Sequence, residues 1–202
     1  VRPKVVREYL NNHIFDYIHI STPEGPVGTV FRKVLKSKSL KYTTAFHTKF
    51  PEYINAKFPF IPISFGEKYM KRIHRDSSCI LVPTLSVYRE LKAKGYDRVK
   101  LWTRGVDKQL FYFSERKENK IRIALCVSRV SVEKNLEAFF KLDIPYKKIM
   151  VGSGPDLKYY KEKYNDVEFV GLKKGKELAS YYQKADVFVF PSLTDTLGIV
   201  LI

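Results

Sequence analysis

Short apolar runs alternate along the chain with longer stretches of helical periodicity. The runs predict strands over Asp16–Ile20, Tyr42–Phe46, Cys79–Val82, Val99–Thr103, Ile121–Val127, Lys148–Val151, Val167–Val170 and Val187–Phe190. Several are continuously apolar rather than alternating, as in Ile121 to Val127, which suits strands covered on both faces. Between them the periodicity predicts helices over Gly25–Lys36, Ile63–Arg75, Leu85–Lys94, Glu133–Lys141, Leu157–Tyr164 and Glu177–Ala185. Leu136, Phe139 and Phe140 share one helical face. Thr84 suits an N-cap, and Gly95 suits a helix stop. Strand–helix–strand alternation implies parallel sheets with right-handed crossovers. The stretch Phe111–Lys120 is polar, charged and aperiodic, and reads as a linker between residues 1–110 and 121–202. The fold class is therefore α/β, with two Rossmann-like parallel-sheet domains. Each has about four strands, fewer than open sheets of this kind usually hold.

Composition narrows the class. An apolar fraction of 45% belongs to a globular chain, not a disordered tail. No apolar run is long enough for a transmembrane helix. The N-terminus, Val1-Arg2-Pro3-Lys4, lacks both the apolar core of a signal peptide and an initiator Met, which implies a cut or processed start. Cys79 and Cys126 match no zinc or disulfide spacing and point to a reduced, cytosolic setting. The net charge of +16 is uneven: residues 1–114 carry 21 basic against 9 acidic side chains, and residues 115–202 carry 16 against 12. Such a field attracts anionic lipid, nucleic acid or phosphorylated substrates, although a Lys-rich solvated surface accounts for it equally well.

Three segments place polar or small residues just past predicted strands, where open parallel sheets bind ligands. In Ser128-Arg129-Val130-Ser131-Val132-Glu133-Lys134-Asn135, Arg129 follows a strand and Lys134 opens the next helix. Cations at that spacing suit one diphosphate, whose charge must be neutralised. Gly152-Ser153-Gly154-Pro155 allows close backbone approach. Phe190-Pro191-Ser192-Leu193-Thr194-Asp195-Thr196-Leu197-Gly198 ends a strand and opens an apolar helix near Leu197, whose free N–H groups would form an anion site. Asp195 could accept hydrogen bonds from sugar hydroxyls. On the residues alone, a fragment without a ligand and a basic nucleic-acid-binding domain stay open. The second lacks any helix-turn-helix, zinc, RRM or KH signature, so no specific nucleic-acid partner is expected.

Taken in order, these segments and Ala185-Asp186-Val187-Phe188-Val189-Phe190 resemble the retaining glycosyltransferases of family 4, with the GT-B fold. The resemblance extends through His19 to Gly28, Phe46-His47-Thr48-Lys49-Phe50-Pro51-Glu52-Tyr53 and Arg104-Gly105-Val106-Asp107. These are similar to the lipid-glycosylating branch, which includes sulfoquinovosyl-diacylglycerol synthases and diacylglycerol or phosphatidylinositol mannosyltransferases.

The resemblance implies hexosyl transfer from a UDP- or GDP-sugar to an acceptor hydroxyl, that of a membrane lipid, with retention and without a metal. It implies His47, Arg129, Lys134 and Asp195 as catalytic residues, with His47 beside the donor sugar. Arg129, Lys134, Gly152, Gly154, Thr196, Leu197 and Gly198 would hold the donor. Glu24, Gly25, Gly28 and Arg104 would lie on the acceptor side. The second acidic position of the family's E-x7-E element would fall at 203, one residue past Ile202, so the resemblance implies a chain shortened at both ends whose own activity is doubtful. It also implies a cytoplasmic protein, peripheral on the inner face of the membrane. The predicted helix Ile63–Arg75 sets Phe65, Tyr69 and Met70 beside Lys68, Lys71 and Arg72, a mix compatible with interfacial docking as well as with core packing.

Overall fold

The computed structural model describes residues 2–113, 115 and 120–202, so residues 114 and 116–119 of the predicted linker lie outside the described residues. Two compact units emerge. The first runs to Arg104 and includes Asp195–Leu197; the second holds Gly105–Thr194 and Gly198–Ile202.

The first unit contains α1 (Pro3–Asn11), β1 (His19–Ile20), α2 (Pro26–Ser37), β2 (Thr43–Ala45), α3 (Phe50–Lys57), α4 (Ile63–His74), β3 (Cys79–Val82), α5 (Leu85–Ala93) and β4 (Val99–Leu101). Its strands form a parallel sheet in the order β1-β2-β3-β4. Phe46, Met70, Ile73, Ile80, Val82, Val87 and Leu91 make the main core. Thr84 caps α5 by accepting a hydrogen bond from the Val87 N–H at 3.3 Å, and Gly95 follows that helix at φ +77°. Helices α1 and α3 were not expected from the periodicity. At 9 and 8 residues they are too short for propensity alone to hold. Packing supplies the rest: a Cβ on Gly66 of α4 would lie 2.7 Å from Pro51 Cα, so only glycine lets α3 and α4 approach this closely. Of the three large side chains on α4 considered for a lipid surface, Met70 is buried and Tyr69 packs against the core. Phe65, in the first turn of the helix, is the exposed one.

His74 is buried, with Nδ1 2.8 Å from Thr44 Oγ1 and no partner at Nε2. Burial, helped by the charge of Arg32, pushes its pKa down to about 4. The unfolded chain therefore binds this proton first. The contribution is complete above about pH 6.5 and is lost as pH falls toward 4, roughly 1.4 kcal/mol per pH unit and about 3 kcal/mol in all. In His74→Leu, Thr44 keeps its 3.0 Å bond to Ser77 Oγ. Urea unfolding at pH 7, 5.5 and 4.5 is expected to show a shallower acid loss for this variant than for the parent. Equal pH slopes would contradict the assignment.

The second unit contains β5 (Ile123–Val127), a 3-10 turn at Val132–Lys134, α6 (Glu137–Phe140), β6 (Lys147–Val151), α7 (Leu157–Lys163), β7 (Val167–Gly171), α8 (Gly175–Lys184), β8 (Val187–Phe188) and a 3-10 turn at Ile199–Leu201. Its parallel sheet has the order β7-β6-β5-β8. The continuous apolar runs have the anticipated cause. Ala124, Cys126 and Met150 face one cluster with Phe139 and Phe140, while Leu125, Val127, Ile149 and Val151 face another with Leu178 and Tyr182. Burial raises the Cys126 thiol to about 12, which leaves it a packing group; both cysteines are free.

Two predicted helices differ. The segment expected as one helix over Glu133–Lys141 is broken by Asn135 at φ 51°, a conformation asparagine tolerates. Lys134 therefore stands on a 3-10 turn and opens no α-helix. The helix expected near Leu197 is a three-residue 3-10 turn entered through Gly198 at φ +62°.

Candidate functional site

Backbone hydrogen bonds bring three loops together at the carboxyl edge of the second sheet. After β5, the Ser128 N–H donates to Val151 O at 3.1 Å and the Val130 N–H to Ser153 O at 3.0 Å. Asp156 completes the link: its N–H donates to Val130 O, and its carboxylate accepts from the Val132 N–H at 2.9 Å. The close approach anticipated for Gly152 and Gly154 is made to this neighbouring loop. A Cβ on Gly152, which sits at φ +147°, would fall 1.8 Å from Ser128 O, and one on Gly154 would fall 2.1 Å from Val130 O. These glycines thus frame the loop that carries Arg129. The loop after β8 joins the same edge. Asn135 Nδ2 donates to Pro191 O at 3.2 Å, and Thr194 Oγ1 donates to Glu133 O at 3.2 Å. Arg129, exposed, and Lys134, half-buried, both lie on this tied assembly. Gly198 is packed against Phe190, with no room for a Cβ.

In the first unit the candidate residues fall past the carboxyl ends of β1, β2 and β4. His47 follows β2. The Arg104 guanidinium donates through Nη2 to His47 Nε2 at 2.8 Å. Arg has no acceptor, so His47 carries its proton on Nδ1 and Nε2 is occupied. Burial, then the charges of Arg104 and His19, lower the His47 pKa. The imidazole is therefore neutral near pH 7 and serves better as a polar contact than as a base at Nε2. Thr196 is buried and donates from Oγ1 to His47 O at 2.6 Å, while Thr84 Oγ1 donates to Thr196 O. Asp195 forms an antiparallel bridge with Thr48. Asp195, Thr196 and Leu197 thus belong to the first unit, held beside His47.

Glu24, Gly25 and Gly28 lie at the start of α2. Tyr69 OH donates to Glu24 O at 3.1 Å, and burial raises the Glu24 carboxyl above its ordinary range. A Cβ on Gly28 would fall 2.2 Å from Thr22 O, so this glycine serves the crossing of α2 over the preceding turn. Two residues not singled out from the sequence join the Arg104 cluster. Trp102 lies under the guanidinium at 4.1 Å, and His19 meets the indole edge-on at 5.5 Å. Their signal was the spacing of Trp102 and Arg104, two apart in extended chain and so on one face.

The family description Glycosyltransferase Family 4 matches residues 2–110, and Glycosyl transferases group 1 matches residues 107–202. The chain belongs to glycosyltransferase family 4. It is 32% identical to Sulfoquinovosyl transferase SQD2 of Arabidopsis thaliana, over 93% of this chain and 40% of that protein. It is 24% identical to Alpha-monoglucosyldiacylglycerol synthase of Acholeplasma laidlawii, over 93% of this chain and 55% of that protein. Sucrose-phosphate synthase from Thermosynechococcus elongatus shares the fold, with a TM-score of 0.78 and 21% identity over 98% of this chain and 56% of that one. The two four-stranded parallel sheets are those of GT-B glycosyltransferases. The chain spans about half the length of these proteins.

Proposed function

We propose that the protein transfers a hexosyl group from a UDP- or GDP-sugar to a lipid hydroxyl, with retention of anomeric configuration. The observation that carries this is the hydrogen-bonded set of loops at the carboxyl edge of the second sheet, with Arg129 and Lys134 on it. Two cations in such a place offset the charge that develops on a departing diphosphate, the chief need of this reaction, and the proposal assigns that work to them rather than to a metal. Asp195 and His47 would contact the sugar, and Thr196 would fix the loop between them.

A lipid acceptor is supported by the relative named for a diacylglycerol product and by a surface of the first unit. Phe60 is 80% and Phe65 67% exposed in and after the α3–α4 connection, with Phe58 and Ile63 partly so. Lys57, Lys68, Lys71 and Arg72 stand in the same stretch. Aromatic side chains flanked by cations suit a peripheral position on an anionic membrane. Among the described residues no helix is long and apolar enough to cross one.

Radiolabelled UDP- and GDP-hexoses, incubated with the chain and anionic vesicles containing diacylglycerol, are expected to yield a solvent-extractable glycolipid. In parallel, sedimentation with anionic vesicles is expected to drop severalfold in Phe60→Ser/Phe65→Ser. Absence of nucleotide binding together with absence of product would refute transfer. Sedimentation indifferent to lipid charge and to both phenylalanines would refute the docking surface.

A further inference from the structure

The first unit holds a guanidinium whose surroundings leave it poised for an anion. Arg104 is half-buried, yet no carboxylate among the described residues lies within ion-pair distance of it. Of its five N–H donors, one is used among the described hydrogen bonds, that to His47. Trp102 stacks at 4.1 Å and fixes the plane of the fork, while the indole itself stays 44% exposed. His19 is held by Thr43 Oγ1 at 2.8 Å. The positive potential of Arg104 is felt by both neighbouring imidazoles, each of which it helps to keep neutral, after burial. A surface stacking contact of this kind contributes little to stability by itself. A preorganised planar fork with free donors is instead the usual receptor for sulfonate, carboxylate or phosphate.

We propose that Trp102, Arg104, His47 and His19 form an oxyanion receptor that reads a negatively charged group on one of the substrates. The group is a sulfonate or carboxylate on the transferred sugar, or a phosphodiester on the acceptor. This rests on the glycosyl-transfer reading, because His47 and the neighbouring Asp195–Leu197 segment are the sugar contacts there. The receptor is made wholly of first-unit residues, so it can be probed without a nucleotide. His47 orients the guanidinium, and the guanidinium supplies the charge.

Trp102 is the sole tryptophan in the chain and stacks on the guanidinium, so its fluorescence reports on the receptor. Four probes are titrated into the full chain: methyl 6-deoxy-6-sulfoglucoside, methyl glucuronoside, dimethyl phosphate and methyl glucoside. Saturable change with a sulfonated or carboxylated glycoside, at least about tenfold tighter than with methyl glucoside, supports a charged donor sugar. Saturable change with dimethyl phosphate alone supports a charged acceptor. Arg104→Gln is expected to weaken the effective probe at least about tenfold, while Arg104→Lys keeps part of the affinity; melting curves identify any variant that fails to fold. No saturable change with any anion, an equal response to methyl glucoside, or unchanged affinity in a folded Arg104→Gln would overturn the receptor. UDP and GDP binding, measured separately, tests the transfer reading: nucleotide binding without anion binding sinks only the receptor.

Discussion

Gly152→Ala is expected to destabilise the second unit by at least about 3 kcal/mol, the range of backbone strain combined with a steric clash. Its Cβ would stand 1.8 Å from a backbone oxygen, Ser128 O, at a backbone φ of +147° that side chains rarely adopt. No rotamer change relieves a backbone contact. Either β6 and its loop shift, or the loop after β5 does, and the second outcome moves Arg129. Gly175→Ala is the control. It sits at φ +55° but faces open space, so it is expected to cost about 1 kcal/mol. Thermal melts should therefore separate the two by about 8 °C or more. Near-equal melting temperatures would mean that the tight loop contact is not present in solution.

The Arg129→Ala/Lys134→Ala double variant is expected to weaken UDP or GDP binding by a factor of about 10² or more. Charge-assisted hydrogen bonds of the kind assigned here contribute about 1.5–3 kcal/mol each, not fully additively. In the glycolipid assay, Lys134→Ala alone is expected to lower the rate by a factor of about 10²–10³, the usual loss when a group stabilising transition-state charge is removed. Neither side chain belongs to a core cluster, so melting temperatures should change little. Calorimetric titration measures the first effect. Parental affinity in the double variant would remove both residues from the diphosphate site.

Much of the fold was legible because burial on both sides of a parallel sheet leaves an unbroken apolar run. Ile123–Val127 and Cys79–Val82 were readable for that reason, and their neighbours follow from alternation. Capping chemistry was equally local: Thr84 and Gly95 do what their side chains favour. The losses came where tertiary contacts decide. Helix α3 depends on Gly66 meeting Pro51, which no local pattern reveals. Asn135, at the break, donates to Pro191 O, a contact 56 residues away that no local pattern reveals. In the candidate site, the loops of Arg129 and Lys134 could be read as strand ends, but the job of Gly152 and Gly154 could not. Close backbone approach looks the same in sequence whether the partner is a ligand or another loop. The Asp195–Leu197 segment likewise gave no sign that it joins the first unit beside His47, since that contact is made by Thr196 Oγ1 to a distant carbonyl.

In the proposed function, the loops at the carboxyl edge of the second sheet hold a nucleoside diphosphate. An amide NMR titration of the chain with UDP and with GDP tests it most directly. Saturable shifts are expected with at least one nucleotide, concentrated in Ser128–Asn135, Gly152–Asp156 and Pro191–Thr194. Shifts confined to residues 3–101, or none with either nucleotide, would contradict it.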